Sequence, residues 1–245
     1  MIFRESRLAH QYLDGLAGLE IGGAAHNPFG LETKNVDYVA SLDTVYKKAE
    51  IEYCGEALKV DIVASGDELP VPDESQDFVV SAHVIEHFFD PIKAIKEWLR
   101  VIKPEGYIFI IAPHKERTFD RDRARTPLAE LVARHEGKIV GSKDYAHQYD
   151  EHCSVWITQD LLDLCRYLNL NVVAYQDVDD KSGNGFAVVV QKKSLAPMWD
   201  LSIAKSLTRV RVFLKRRRCR FQRYWKKQRR SVAKRLAGIR RIFWG

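Results

Sequence analysis

Several features of membrane and secreted proteins are missing from this chain of 245 residues. It has no run of about 18 apolar residues, so we expect no membrane-spanning helix. Residues 1–15 carry charges throughout and contain no apolar core, so we expect no secretory signal. The four cysteines are scattered and form no CxxC pair, which favours a reducing cytoplasm over a disulfide scaffold or a cysteine zinc site.

A GxGxxG phosphate loop is also missing. After the first apolar segment the sequence reads Gly22-Gly23-Ala24-Ala25-His26, so alanine or histidine stands where the later glycines would be. This weakens a dinucleotide site. Small side chains still let backbone N–H groups come close to a ligand, so we expect Gly22, Gly23 and Ala24 to contact a cofactor. A tight turn without a ligand explains them equally well.

The net charge of +6 is unevenly distributed along the chain. Residues 197–245 contain 17 lysines and arginines and a single acidic residue, whereas the first 196 residues contain 22 basic and 32 acidic residues. An acidic body therefore carries a strongly basic tail. We expect a domain over residues 1–195 and a separate tail over residues 196–245.

Strand and helix patterns alternate along the acidic body. This alternation predicts an α/β fold with a doubly wound, seven-stranded, mostly parallel sheet and helices on both faces. The last two strands have no helix between them and should pair antiparallel. Residues 113–155 are polar and poorly periodic, which predicts an insertion over the cleft on the acceptor side. The predicted strands are 19–22, 36–40, 58–64, 77–82, 107–112, 171–176 and 185–190, and the predicted helices are 2–15, 42–49, one that starts at Asp90-Pro91, 127–134, and 158–168 with Thr158 as its cap.

One block of the sequence resembles a known family. Residues 65–78 read SGDELPVPDESQDF, residues 83–87 read HVIEH, and residues 98–107 read WLRVIKPEGY. This block is similar to the class I S-adenosylmethionine-dependent methyltransferases of the small-molecule, type 11-like group. The resemblance extends over roughly residues 16–192. It implies a Rossmann-like domain that binds S-adenosylmethionine and methylates a small-molecule acceptor.

The resemblance also implies roles for single residues at the cofactor cleft. Glu20 matches the acid that orders the glycine turn and approaches the methionine amino group, although a structural hydrogen bond to the turn amides is an alternative. The usual acid of the adenine-contacting turn falls on Ser65, which leaves Asp67 as the nearest carboxylate. We expect Ser65, Gly66 and Asp67 to bind the cofactor. His83 follows the fourth strand and is expected to face the cofactor.

The acid that holds the ribose is less clear from the residues. In the family subgroup this acid aligns with Ala40, which has no carboxylate. Asp43 lies about 20 residues beyond the glycine turn, where such an acid is usual. We therefore predict Asp43 as the ribose-binding residue, with a helix cap as its alternative role.

Methyl transfer from a sulfonium is an in-line displacement, so the enzyme mainly aligns the reactants. A base is needed only if the acceptor must lose a proton. Strand ends project side chains into the cleft, which makes His114, Asp120 and His83 the candidates for acceptor binding or proton removal. Arg117 and its neighbouring arginines suit an acidic acceptor, but a salt-bridged surface loop explains this segment as well.

A metal site is not predicted. His135, His147 and His152, together with Asp120 or Asp150, offer suitable side chains, but their spacing matches no standard ligand signature.

The basic tail has the pattern of an amphipathic helix over residues 201–243. Apolar residues recur at spacings of three, four and seven, and lysine and arginine fill most of the positions between them. This pattern suits an anionic membrane surface. Nucleic acid is a less favoured partner, and docking on the acidic body or on a second copy of the chain is a further alternative.

Together these patterns predict a cytoplasmic enzyme that transfers a methyl group to a small molecule such as a glycan or lipid-linked precursor, at the inner face of the membrane if the tail binds there. The alternative is a non-catalytic nucleotide-binding or membrane-adaptor protein on the same fold. A nucleic-acid methyltransferase is disfavoured, because residues 83–86 replace the Asn/Asp-Pro-Pro-aromatic motif of that class. The sequence does not predict the acceptor atom or the oligomeric state.

Overall fold

A computed structural model describes residues 2–141 and 152–193 of the chain. Strands and helices alternate through these ranges, with three short 3-10 turns at Ile85–His87, Lys115–Arg117 and Phe119–Asp122. The strands are Ala17–Ile21 (β1), Glu32–Asp37 (β2), Ile62–Val63 (β3), Gln76–Ala82 (β4), Ile102–Pro113 (β5), Asn171–Gln176 (β6) and Gly185–Gln191 (β7). The helices are Arg7–Leu13 (α1), Val45–Cys54 (α2), Pro91–Val101 (α3), Leu128–His135 (α4) and Thr158–Tyr167 (α5).

The strands form one sheet in the order β3-β2-β1-β4-β5-β7-β6. All neighbouring pairs are parallel except those of β7, which runs antiparallel between β5 and β6. The predicted fold class and the antiparallel last pair are therefore confirmed. The strand order reverses between β1 and β4, and in such sheets ligands bind beyond the carboxyl ends of the strands at this point.

Each face of the sheet carries its own apolar layer because side chains alternate along the strands. On β4, Val79 packs with the buried residues of α3 and α5, whereas Phe78 and Val80 pack with α1 and Phe29. The central strands are thus buried on both faces, as parallel strands in α/β proteins usually are. This explains why the apolar run of β5 was readable from the sequence.

The bounds of several predicted elements were wrong. Strand two was placed at 36–40, but β2 starts at Glu32 because it pairs in register with β1, from Ala17 opposite Glu32 onward. Strand three, placed at 58–64, is reduced to two residues at the edge of the sheet. α2 starts later than predicted, because Thr44 caps it by accepting the N–H of Lys47.

Helix caps were predicted with mixed success. Asp90 caps α3 by accepting the N–H of Lys93 at 2.9 Å, and Pro91 occupies the first turn, both as expected. Thr158 was expected to cap α5, but the cap position belongs to Ile157 and the Thr158 hydroxyl instead donates to Asp177. The reason is that Asp177, which directly follows β6, lies close enough to accept a hydrogen bond from this hydroxyl.

The segment between β3 and β4 is fastened to α3 by side chains of that helix. Trp98 Nε1 donates to the carbonyl of Gly66 at 2.7 Å. Glu97 Oε1 accepts the N–H of Leu69 at 2.7 Å, and Arg100 donates to the Leu69 carbonyl at 3.0 Å. These bonds set the position of the corner at residues 65–67, which contributes to the candidate site.

The remaining predictions on organisation lie outside the described residues. They are the domain boundary at 195, the centre of the insertion and the basic helix over 201–243. In the part of the chain that the structure describes, no helix is both long enough and apolar enough to cross a bilayer.

Candidate active site

The glycine turn follows β1 and is bonded mainly to the protein itself. Gly22 N donates to Val36 O at 2.8 Å, Gly23 N donates to Asn35 Oδ1 at 2.9 Å, and the N–H of Ala25 donates to Glu50. These amides are therefore not directed at a ligand, contrary to the reason for which the turn was singled out. A contact between this turn and a cofactor remains a prediction.

The small residues of the turn are required by close packing. Gly22 has φ of +65°, and a Cβ at this position would lie 2.7 Å from Val84 Cγ2. A Cβ on Gly23 would lie 2.8 Å from Asn35 Oδ1 and 3.0 Å from Glu20 Cδ. The turn therefore rests directly on Glu20 and against Val84, the second residue after the end of β4.

The corner at residues 65–67 lies beside the end of β1. A Cβ on Gly66 would lie 2.6 Å from Cγ2 of Ile21, the last residue of β1. Ser65 Oγ lies 2.5 Å from Asp67 Oδ1, and Lys93 Nζ lies 3.0 Å from Asp67 Oδ2. The glycine turn and this corner therefore lie close together at the carboxyl ends of the strands, beside the switch point.

Glu20 is buried beneath the turn. Its Oε2 accepts a hydrogen bond from Thr33 Oγ1 at 3.2 Å, and burial raises the pKa of the carboxyl to about 7. The turn amides bond to Asn35, Val36 and Glu50, which removes the proposed structural role of Glu20 as their acceptor. Its part in holding a cofactor stays a prediction.

Lys181 is a residue that sequence reasoning missed. It comes from the loop between β6 and β7, and its Nζ donates to the carbonyls of Pro28 at 2.6 Å and Arg4 at 3.0 Å. Its ammonium lies 4.3 Å from the centre of the Phe29 ring, and burial lowers its pKa to about 8. Its positive charge favours the ionised form of Glu20. Nothing in the local sequence signals this lysine.

The two acids near the end of β2 have different surroundings. The Asp43 side chain is 82% exposed and pairs with Lys48 Nζ at 2.5 Å, a contact that lowers its pKa. Its alternative role as a helix cap is wrong, because Thr44 caps α2. Asp37 is the last residue of β2 and lies 3.8 Å from Lys47 Nζ, and burial raises its pKa. Asp37 is not among the residues predicted from the sequence.

His83 follows β4 directly and has φ of +56°, a conformation that is uncommon for a residue with a side chain. Its Nε2 lies 3.2 Å from Ser182 Oγ, and its Nδ1 lies 4.0 Å from Glu86 Oε1. The hydroxyl of Ser182 donates to Asp179, a carboxylate that accepts several N–H groups of the same loop. Burial lowers the pKa of His83. The imidazole thus joins the β6–β7 loop to the end of β4.

Glu86 is fully buried at the end of β4, in the 3-10 turn that continues from it. Neither carboxyl oxygen has a hydrogen-bond partner among the described residues, and burial raises its pKa to about 8. Nitrogen atoms of His83, His87 and His152 lie 4.0, 3.9 and 3.9 Å from its Oε1. In the sequence, Glu86 stands out only as part of the family block, because residue spacing gives no sign that His152 approaches it.

The insertion brings Asp120 and His152 together. His152 Nδ1 lies 2.6 Å from Asp120 Oδ2, while Arg123 donates to Asp120 Oδ1 at 2.7 Å and to the His152 carbonyl at 2.8 Å. Both carboxyl oxygens of Asp120 are therefore engaged, which suits a group that orients His152. Direct contact between Asp120 and an acceptor remains a prediction.

His114 has different neighbours. Its Nδ1 accepts the N–H of Glu116 at 3.2 Å, and its ring lies edge-on to Phe186 with 6.1 Å between the centres. Burial, and then the charge of Arg117, lower its pKa. Of the three predicted catalytic residues, His83 and Asp120 thus border the Glu86 cluster, whereas His114 caps a turn. Arg117, Arg123 and Arg125 pair with carboxylates of the chain, as a salt-bridged loop predicts.

The histidines that the sequence offers as metal ligands do not all lie in one place. His135 lies elsewhere, with Nδ1 2.8 Å from Asp90 Oδ2 and Nε2 2.7 Å from Lys96 Nζ. His147 and Asp150 lie outside the described residues. Of the two histidines of this set that the structure describes, His152 joins the cluster around Glu86 and His135 does not.

Comparison with known proteins finds a family that part of the chain matches. Residues 19–110 match the family described as a methyltransferase domain. This match supports the resemblance of the chain to the class I S-adenosylmethionine-dependent methyltransferases. S-adenosylmethionine is the cofactor of this family, which agrees with the prediction from residues 65–107.

The relatives are distant. The chain is 25% identical to the uncharacterized methyltransferase YcgJ of Bacillus subtilis, over 71% of this chain and 61% of the relative. It is 29% identical to a probable S-adenosylmethionine-dependent methyltransferase of Mycolicibacterium smegmatis, over 46% of this chain and 58% of the relative. A solved methyltransferase from Aquifex aeolicus is 22% identical over 75% of this chain and 86% of its own, with a TM-score of 0.44. The chain spans about three fifths of the two sequence relatives.

Proposed function

We propose that this chain transfers the methyl group of S-adenosylmethionine to a small-molecule acceptor. The main support is the contact between Ile21 at the end of β1 and Gly66 in the corner before β4, at the point where ligands bind in such sheets. Two stretches that are 45 residues apart in the sequence thereby border one cleft. The family match over residues 19–110 identifies the cofactor that this cleft would take.

The residues at the cleft fit that cofactor. Glu20 is a buried carboxylate that accepts a hydrogen bond from the neutral hydroxyl of Thr33, so a cationic methionine amine would stabilise its ionised form. The corner at 65–67 presents a hydroxyl, a glycine and a carboxylate for the adenine side. We infer that Asp37, rather than Asp43, binds the ribose, because Asp37 ends β2 and Asp43 is exposed and paired with Lys48.

The acceptor would lie beyond β4, near His83 and Asp120. The bound cofactor supplies an electrophilic methyl group, and the work of the protein is to align the acceptor with it and keep water out. An anionic glycan or lipid-linked precursor is the acceptor class we favour. Its support is the basic amphipathic pattern of residues 201–243, which would hold a cytoplasmic enzyme at the inner face of a membrane.

Calorimetry on the full chain with S-adenosylmethionine and S-adenosylhomocysteine tests this function. We expect both to bind, and we expect Gly66→Val to abolish binding because its side chain would overlap Ile21 and Phe88. Gly141→Ala is the control, since its Cβ would meet only the Phe89 ring, at 3.2 Å. If neither ligand binds the wild-type chain at millimolar concentration, the adaptor alternative replaces the enzyme.

A further inference from the structure

The cluster around Glu86 contains a set of side chains that methyl transfer does not by itself require. One carboxyl oxygen of Glu86 and one ring nitrogen each of His87 and His152 all lie within 4.8 Å of one another. Glu86 Oε1 is 3.9 Å from His87 Nε2 and 3.9 Å from His152 Nε2. Glu86 is fully buried, and its two oxygens have no hydrogen-bond partner in residues 2–141 and 152–193.

We propose that Glu86, His87 and His152 bind a divalent transition-metal ion, for which zinc is the reference. Two imidazoles and one carboxylate form a ligand set that binds zinc and leaves a position open for water or substrate. The same set suits iron(II), whereas magnesium and calcium prefer oxygen ligands throughout. An ionised carboxylate buried without a partner is costly, and a bound cation would remove this cost.

The distances are compatible with such an ion after a small adjustment. With metal–ligand bonds of roughly 2.0–2.2 Å, the ligand atoms of a tetrahedral site lie about 3.4 Å apart. The two separations of 3.9 Å from Glu86 would therefore shorten by about half an ångström, and the two histidine nitrogens, which lie within 4.8 Å of each other, would approach by up to about 1.4 Å through rotation of their side chains. His83 Nδ1, 4.0 Å from the same oxygen, is available as a fourth ligand.

The surroundings of His152 provide a second, independent argument. Histidines that bind metals usually donate their other ring N–H to a carboxylate, which fixes the tautomer and the ring orientation. His152 Nδ1 lies 2.6 Å from Asp120 Oδ2, which leaves Nε2 as the unprotonated nitrogen toward Glu86. Arg123 in turn holds Asp120 and the His152 carbonyl. The insertion thus carries the supporting contacts as well as the ligand.

Metal binding by the full chain is the direct test. Chelator-treated protein is titrated with ZnCl₂ by calorimetry and with CoCl₂ by visible absorption, in the absence of cofactor. We expect one equivalent of zinc to bind with micromolar or tighter affinity, and cobalt to give the ligand-field bands of a four-coordinate site. Failure of the wild-type chain to bind one equivalent of either ion overturns the proposal.

Variants locate the site. Glu86→Gln and His152→Ala should abolish the stoichiometric binding, and Asp120→Asn should weaken it by roughly 10–100-fold without changing the stoichiometry. His135→Ala is the matched control, since that ring contacts Asp90 and Lys96 instead, and it should bind as wild type does. Equal affinity in His152→Ala and wild type overturns the assignment of the ligands.

Folding and cofactor binding are measured on the same samples. Circular dichroism establishes whether each variant is folded, and if Glu86→Gln is not, the wild-type titration and His152→Ala still decide. Zinc affinity without binding of S-adenosylhomocysteine would overturn the proposed function and leave the metal site standing. Binding of S-adenosylhomocysteine without zinc affinity would do the reverse.

Discussion

Trp98 Nε1 lies 2.7 Å from the carbonyl oxygen of Gly66, and both residues are buried. The bond joins the middle of α3 to the corner that meets the end of β1. Because the corner has little regular structure of its own, this indole and the neighbouring contacts of Glu97 and Arg100 determine where it lies. The helix beside the sheet therefore determines the position of the corner that we propose borders the cofactor.

Replacing Trp98 by Phe should destabilise the fold and weaken cofactor binding together. The change leaves the buried Gly66 carbonyl without its donor, which costs about 1–3 kcal/mol beyond the loss of ring volume. Trp156→Phe is the matched control, because Trp156 is also buried and its Nε1 has no partner among the described residues. Urea unfolding and S-adenosylhomocysteine calorimetry compare the two, and equal losses would show that the hydrogen bond contributes nothing.

The sequence predicted the sheet and the corner well because both depend on local patterns. These patterns are the apolar strands, the Asp90-Pro91 helix start and the block at 65–107. The structure shows which contacts the residues of that block make. Asp77, for example, accepts the N–H of Ala17 at 3.0 Å and lies 2.8 Å from Lys103 Nζ, so it ties β4 to its neighbours. Asp77 belongs to the recognisable block, and its contacts hold neighbouring strands together.

The candidate site was harder to predict because its members come from distant parts of the chain. Glu86 and His152 are separated by 66 residues, and nothing in their spacing indicates a contact. Lys181 was missed for the same reason. His114 is predicted from its position after β5; its Nδ1 accepts the N–H of Glu116 in the next turn, and its role toward an acceptor stays a prediction. Position along a strand predicts which edge of the sheet a residue reaches, not which neighbours its side chain meets there.

Glu20 should make stability depend on pH. Its pKa is about 7 in the fold against an ordinary value of 4.5, so between these values the folded chain holds a proton that the unfolded chain has lost. Stability therefore falls as pH rises from 4.5 to 7, by roughly 3 kcal/mol in total from this group. Lys181, with a pKa of about 8, stays charged over this range in both states and does not contribute to the slope.

The difference between wild type and Glu20→Gln isolates this effect. Urea unfolding at a series of pH values should show that the variant gains stability relative to wild type as pH rises through this range. Glu116→Gln, at an exposed carboxylate, should follow the wild-type curve. Parallel curves for wild type and Glu20→Gln would mean that the Glu20 carboxyl does not titrate abnormally in the fold.

The ribose acid can be identified by comparing two isosteric variants. We expect Asp37→Asn to lower the affinity for S-adenosylhomocysteine by about tenfold or more, since hydrogen bonds to a charged group contribute about 1.5–3 kcal/mol. Asp43→Asn should leave the affinity unchanged, because that side chain is exposed and pairs with Lys48. The opposite order of effects would restore the original assignment to Asp43.

The basic tail should attach the protein to anionic membranes. Residues 197–245 have a large excess of positive charge, and lysines and arginines near an anionic surface each contribute about 1 kcal/mol, so attraction should be strong at low salt. The full chain should therefore co-sediment with phosphatidylserine vesicles and not with phosphatidylcholine vesicles, and added salt should release it. A chain without residues 200–245 should stay in the supernatant. Equal sedimentation of the full and shortened chains would show that the tail does not bind the membrane. It would leave nucleic acid, or docking on the acidic body or on a second copy, as the role of the tail.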